Sequence, residues 1–189
     1  MAGRETAQST FNAGRAPIAV CLVGFMGAGK TTVGRSLAER MGWRFVDLDD
    51  RVEARERRTI ADIFRDSGES AFRQAEAEAL LELLAETGVG TNTVIALGGG
   101  AFVQPENSNA IRRSGIPVAF LDAPVDELRE RCAAKGGVRP LFLNADEFRQ
   151  LYEDRRRSYM QADLSVSTSA KTVCAVVDEL ISRLNLGKE

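Results

Sequence analysis

Residues 24–32 read Gly24-Phe25-Met26-Gly27-Ala28-Gly29-Lys30-Thr31-Thr32. The run matches G-x-x-x-x-G-K-[ST] without a gap, the pattern of a loop that wraps the phosphates of a nucleotide. Glycine lets successive backbone N–H groups turn inward on phosphate oxygens, where a side chain would block them. Lys30 has the reach for the β- and γ-phosphates, and the Thr31 hydroxyl can ligate Mg2+. The flanks supply the setting this loop needs. Residues 18–23, Ile-Ala-Val-Cys-Leu-Val, form an apolar run suited to a buried strand. From Thr31 the spacing turns helical, with Val33, Leu37 and Met41 on one face. Strand, glycine loop and helix together place the positive end of a helix dipole at the anion. A glycine-rich turn with a stray lysine explains neither flank.

At 189 residues, 44% hydrophobic and 28% charged, the chain suits one soluble domain with a single core. A net charge of −2 gives no reason to expect nucleic-acid binding. Of the 25 basic residues only Lys30, Lys135, Lys171 and Lys188 are lysine, so arginine is the default cation here and its abundance alone says little about anions. Cys21, Cys132 and Cys174 are odd in number and lack metal-site spacing. Cys21, in the apolar strand, and Cys174, in an apolar helix, read as small core residues. A reducing, cytoplasmic compartment is expected. No apolar run approaches the roughly 18 residues of a membrane span. Residues 1–16 are small and polar and read as a disordered tail. With no histidine in the chain, a catalytic base is expected to be a carboxylate.

Strand and helix patterns alternate. Strands are expected at 18–23, 44–47, 93–97, 117–121 and 164–166. Helices are expected at 31–41, 59–67, 69–86, 107–113, 125–134, 146–161 and 172–184. Five strands separated by helices indicate an α/β protein with a parallel sheet flanked by helices. Its ligands bind beyond the carboxyl ends of the strands.

Unusual residues stand at those ends. Strand two runs into Asp47-Leu48-Asp49-Asp50, and strand alternation puts Asp47 and Asp49 on one side. One carboxylate can hold a Mg2+-bound water and the other can accept a proton from a hydroxyl, as phosphoryl transfer requires. A solvated strand end or helix cap uses the same residues, and Asp50 fits a cap. Strand three ends in Gly98-Gly99-Gly100, suited either to close approach of a ligand or to a flexible turn. Arg73 and Arg155 can each fork onto a carboxylate. Taken alone, they read first as surface arginines paired with glutamate one helical turn away. Arg139-Pro140-Leu141 follows the break Gly136-Gly137, as in a mobile loop that closes over a nucleotide, or in an ordinary exposed loop.

Together these residues resemble the shikimate kinases over about 18–184. Five motifs carry the resemblance in order: the P-loop, Phe45-Val46-Asp47-Leu48-Asp49, Ile60-Ala61-Asp62-Ile63-Phe64 with Gly68-Glu69 and Phe72-Arg73, Gly98-Gly99-Gly100-Ala101, and Arg139-Pro140-Leu141. The resemblance implies a P-loop NTPase of nucleoside-monophosphate-kinase-like fold. Its kinase domain spans 17–189, with a substrate-binding region at about 48–87 and a lid at about 133–146. It further implies transfer of the γ-phosphate of ATP to the 3-hydroxyl of shikimate, on the way to the aromatic amino acids.

By the same resemblance, Gly27, Ala28, Gly29, Lys30, Thr31, Thr32 and Arg139 bind the nucleotide. Thr31 binds Mg2+ and Asp47 holds it through water. Lys30, Asp49 and Arg139 serve catalysis. Asp49, Arg73, Gly99 and Arg155 bind shikimate, with Phe64 and Phe72 as apolar walls. Arg131 and residues 169–171 would neighbour the adenine. Where the family has R-x-P-x-Y, this chain has Arg155-Arg156-Arg157-Ser158-Tyr159, and without the proline Arg156 is an alternative to Arg155. A monomer that binds ATP and shikimate, but neither nucleic acid nor membrane, is the expectation. A GTPase is disfavoured, since neither N-K-x-D nor D-x-x-G occurs. Gluconate or nucleoside kinases, and a silent P-loop binding module, are the competing readings.

Overall fold

The structure, a computed structural model, describes residues 17–87, 92–134 and 144–187. The element order is β1 (Ala19–Val23), α1 (Lys30–Met41), β2 (Arg44–Asp47), α2 (Leu48–Glu56), α3 (Ile60–Glu86) and β3 (Thr93–Ala96). After a single 3-10 turn (Ala101–Val103) come α4 (Pro105–Ser114), β4 (Val118–Asp122), α5 (Val125–Ala134), α6 (Ala145–Tyr159), β5 (Leu164–Ser167) and α7 (Val173–Arg183).

The five strands form one parallel sheet in the order β2-β3-β1-β4-β5. Burial explains which strands were legible. β1 and β3 are buried at every position because layers cover both faces, so they read as unbroken apolar runs. The edge strand β5 alternates buried and exposed residues instead. β1 lies at the centre, and the chain departs from it first to β2 and later to β4. Its carboxyl end is therefore the switch point where such sheets bind ligands.

Three expectations need correction. Residues 48–56 form a helix, α2, that the apolar pattern did not announce. Only Leu48 and Val52 are buried on it, too narrow a stripe to read. Strand β2 consequently stops at Asp47, and strand alternation does not relate Asp47 to Asp49. The cap of α2 is Asp47 rather than Asp50: its Oδ1 accepts from the Asp49 N–H at 3.2 Å. Cys174 is exposed, because the buried stripe of α7 runs through Val176, Val177 and Leu180 and passes it by. Cys21 is buried as expected, and burial pushes its thiol up to about 12, with the Asp163 charge adding to the shift.

The two helices expected around Gly68 are borne out: α3 consists of two helical stretches that meet there at a kink, where the backbone leaves the helical region. Gly68 has φ 79° and ψ 176°, a conformation that a side chain resists. Thr59 caps the near end through the Asp62 N–H at 3.1 Å.

Candidate active site

The nucleotide loop grows from the fully buried β1. Gly29, at φ 94°, turns the chain into α1 as its N-cap. The loop is clamped from outside, since a methyl on Gly24 would stand 2.5 Å from the Leu121 carbonyl oxygen. One on Gly27 would stand 2.7 Å from the Leu128 carbonyl oxygen and 2.9 Å from Cys132 Sγ. Close packing on β4 and α5 therefore requires glycine at both places. Lys30 Nζ arches back over the loop and donates to the carbonyls of Gly24 at 2.9 Å and Phe25 at 3.2 Å. The Thr31 hydroxyl donates to Asp47 Oδ2 at 2.8 Å. Gly27, Ala28, Gly29, Lys30, Thr31 and Thr32 thus lie together at the sheet's carboxyl edge. Arg139 and most of the expected lid lie outside the described residues, as does the expected tail.

A second group of side chains meets at the glycines after β3. A methyl on Gly98 would collide with Asp49 Oδ1 and stand 3.3 Å from Glu76 Oε1. One on Gly99 would lie 3.3 Å from Arg155 Nη1, and one on Gly100 would lie 2.6 Å from Arg73 Nη1. Asp49, Arg73 and Arg155 come from α2, α3 and α6, yet all three crowd one tripeptide of bare backbone. The position a Gly99 methyl would occupy is also 3.9 Å from the Gly24 carbonyl oxygen, so this loop abuts the P-loop. The aspartate pair divides between the two halves: Asp47 goes to Thr31 and Asp49 to Gly98.

Arg73 partly bears out the surface-pair reading. Its Nη2 is 3.1 Å from Glu69 Oε1 one turn away, while its Nη1 is 2.9 Å from Glu76 Oε2. Glu76 is another matter, for its side chain is 1% exposed. Burial pushes its carboxyl above the usual range, and the charge and hydrogen bond of Arg73 offset only part of that. The sequence reading missed Glu76, although a glutamate three residues after Arg73 shares its helix face.

Arg155 and Arg156 point to different neighbours. Arg155 lies over the Phe25 ring, 5.9 Å from its centroid, and beside Gly99. Arg156 pairs with Asp122 Oδ2 at 3.0 Å and donates to the Tyr152 hydroxyl at 3.1 Å. Phe72 is buried and Phe64 is 40% exposed, their ring centroids 4.7 Å apart. Arg131 donates to Thr168, at 3.0 Å to Oγ1 and 2.9 Å to the carbonyl, and so stands beside the residues 169–171 expected with it. An open groove of about 580 Å³ along the outer edge of β2 includes Asp47 and Asp50, but none of the groups gathered at Gly98–Gly100.

A phosphate loop on the central strand, a hydroxyl–carboxylate pair at its mouth and a charged cradle in contact with it define a P-loop kinase of nucleoside-monophosphate-kinase-like fold. The family model for shikimate kinase matches residues 26–185. A shikimate kinase of Symbiobacterium thermophilum is 44% identical over 170 residues, covering 87% of this chain and 95% of that one. One from Persephonella marina is 39% identical over 165 residues, covering 87% and 98%. Among solved structures, the Acinetobacter baumannii shikimate kinase in complex with shikimate superposes with a TM-score of 0.80 at 32% identity, covering 89% of this chain and 93% of that one. The chain belongs to the shikimate kinase family.

Proposed function

We propose a division of labour among these residues for the reaction of the family, the ATP-dependent phosphorylation of shikimate. One observation carries it: Asp49, Arg73 and Arg155 converge on Gly98–Gly100, and that loop lies beside the P-loop. In this reading the backbone of Gly27, Ala28 and Gly29, with Lys30, Thr31 and Thr32, cradles the ATP phosphates. The Lys30 ammonium stabilises charge on the transferring γ-phosphoryl group.

Thr31 would ligate Mg2+ and Asp47 would hold it through a bound water; a hydroxyl and a carboxylate are the hard oxygen groups that this ion prefers. The ion supplies charge neutralisation at the phosphates. Among the described residues no three His, Cys, Asp or Glu side chains cluster to bind a metal by themselves.

The α2–α3 segment, about 48–87, is the substrate-binding region. Arg73 and Arg155 grip the shikimate carboxylate from two sides, and the backbone at Gly99 contacts the ring. Asp49 orients the 3-hydroxyl and takes its proton, in a chain whose sequence has no histidine to do so. Phe72 and Phe64 wall the ring. Arg139 belongs to the nucleotide and lid on its motif alone. The protein acts as a cytoplasmic monomer, without nucleic acid or membrane. No helix among the described residues is long and apolar enough to cross a membrane.

The test is ADP release from Mg·ATP with shikimate, and with gluconate and quinate in parallel. Stimulation by shikimate alone is expected. Stimulation by another acid would overturn the acceptor assignment, and none by any of the three would overturn the cradle itself.

A further inference from the structure

The Tyr159 hydroxyl donates to the Gly99 carbonyl. Its ring is fully buried and packs against Phe120, centroids 5.3 Å apart. A phenol seldom sinks so far unless its hydroxyl has a partner there, and this partner is the middle residue of the glycine loop. We propose that Tyr159 is a positioning residue for the acceptor: it fixes the orientation of the Gly99–Gly100 peptide and thereby the face that this loop turns to shikimate.

Three observations carry this. First, the Gly99 carbonyl and the Gly100 N–H are opposite edges of one planar trans peptide. Anchoring the carbonyl toward Tyr159 turns the N–H the other way, away from α6. The Ala101 N–H bond to the Gly98 carbonyl at 3.1 Å closes a turn around this peptide, but a turn with that bond forms with its central peptide facing either way, and glycine permits both. Second, Arg155 and Tyr159 are four residues apart on α6, so one helical face carries both. A methyl on Gly99 would lie 3.3 Å from Arg155 Nη1 and 3.8 Å from Tyr159 Oη. A single helix therefore sets the glycine plane and delivers a guanidinium beside it. Third, the hydroxyl remains a donor at any working pH. Burial pushes it up to about 12, against the opposing charge of Arg155.

The inference rests on the reading of Gly98–Gly100 as the acceptor loop, and the experiment separates the two. Tyr159→Phe removes one oxygen and keeps the ring, leaving the Gly99 carbonyl without this donor. The expected result is a rise of about tenfold in KM for shikimate, with kcat within about threefold of wild type and KM for Mg·ATP unchanged. Phe120→Leu serves as the control for stability. It loosens packing around the ring but leaves the hydroxyl, and should lower Tm without moving the shikimate KM. Equal rises in KM for the two variants would overturn the proposal, since loss of packing would then suffice. An unchanged shikimate KM in Tyr159→Phe would overturn it as well. Arg73→Ala tests the underlying reading. If it raises the shikimate KM while Tyr159→Phe does not, only the positioning role fails. If neither moves it, the acceptor loop lies elsewhere.

Discussion

The Thr31 hydroxyl donates to Asp47 Oδ2 at 2.8 Å, while Asp47 Oδ1 accepts from the Asp49 N–H at 3.2 Å. One carboxylate thus ties the first turn of α1 to the first turn of α2. Its bond to Thr31 takes up the hydroxyl proton and leaves the oxygen's lone pairs for a cation. Its bond to Asp49 fixes the start of the helix on which the proposed base stands.

Asp47→Asn separates these two duties. Asparagine caps helices about as well as aspartate, so α2 should survive. The charge for the ion is lost. Apparent Mg2+ affinity in the kinase assay should fall about 10–100-fold, with Tm little changed. A Mg2+ titration that overlays wild type would remove Asp47 from the metal site.

Gly100→Ala probes the acceptor side without backbone strain. Gly100 has φ −103° and ψ −18°, which alanine adopts readily. The new methyl would lie 2.6 Å from Arg73 Nη1, the mobile end of a long side chain, so the guanidinium rather than the fold should give way. KM for shikimate should rise about tenfold while KM for ATP stays put. If both constants are unchanged, Arg73 does not hold the acceptor.

Arg155→Ala and Arg156→Ala should differ in kind. Arg155 stands beside Gly99, and its loss should raise the shikimate KM by about 10–100-fold, as for a charge-assisted pair. Arg156 serves Asp122 and Tyr152, and its loss should lower stability by about 1 kcal/mol and leave KM near wild type. Melting curves and initial rates on both variants decide the matter. A KM effect in Arg156→Ala alone would reverse the assignment.

Legibility from sequence followed burial. β1, β3 and β4 are enclosed by helices and read as apolar runs, so the sheet and its P-loop were evident. α2 was hidden because seven of its nine residues are not buried, although Asp47, the acidic first turn and Arg55 in the last turn were usable signals. Missing that helix is why strand alternation was wrongly applied to Asp49. The family resemblance, not spacing, grouped Asp49, Arg73, Arg155 and Gly99 as one substrate site, and the residues alone did not show how they converge. That depends on three helices folding back to one loop, which no local pattern encodes. The choice between Arg155 and Arg156 rested on an absent proline. In the structure α6 runs unbroken through Arg157 to Tyr159, and helical geometry alone sets the register.

Glu76→Gln should change how stability depends on pH. The Glu76 carboxyl is raised in the folded chain, chiefly by burial, so the folded state holds its proton more tightly than the unfolded state, where the value is about 4.3. The sign follows from linkage. The stability that this group contributes is fully present below the unfolded value and is lost as pH rises through the raised folded value. Above it, a buried carboxylate must be kept ionised, with the Arg73 charge as partial relief. The glutamine variant has no such titration. Wild-type stability relative to Glu76→Gln should therefore decline as pH is raised from about 4 through the raised folded value, then level off. Urea melts of both proteins at half-unit pH steps measure this difference directly. Parallel curves would mean that Glu76 titrates as an ordinary surface carboxylate. A difference growing with pH would mean that Arg73 more than compensates for its burial.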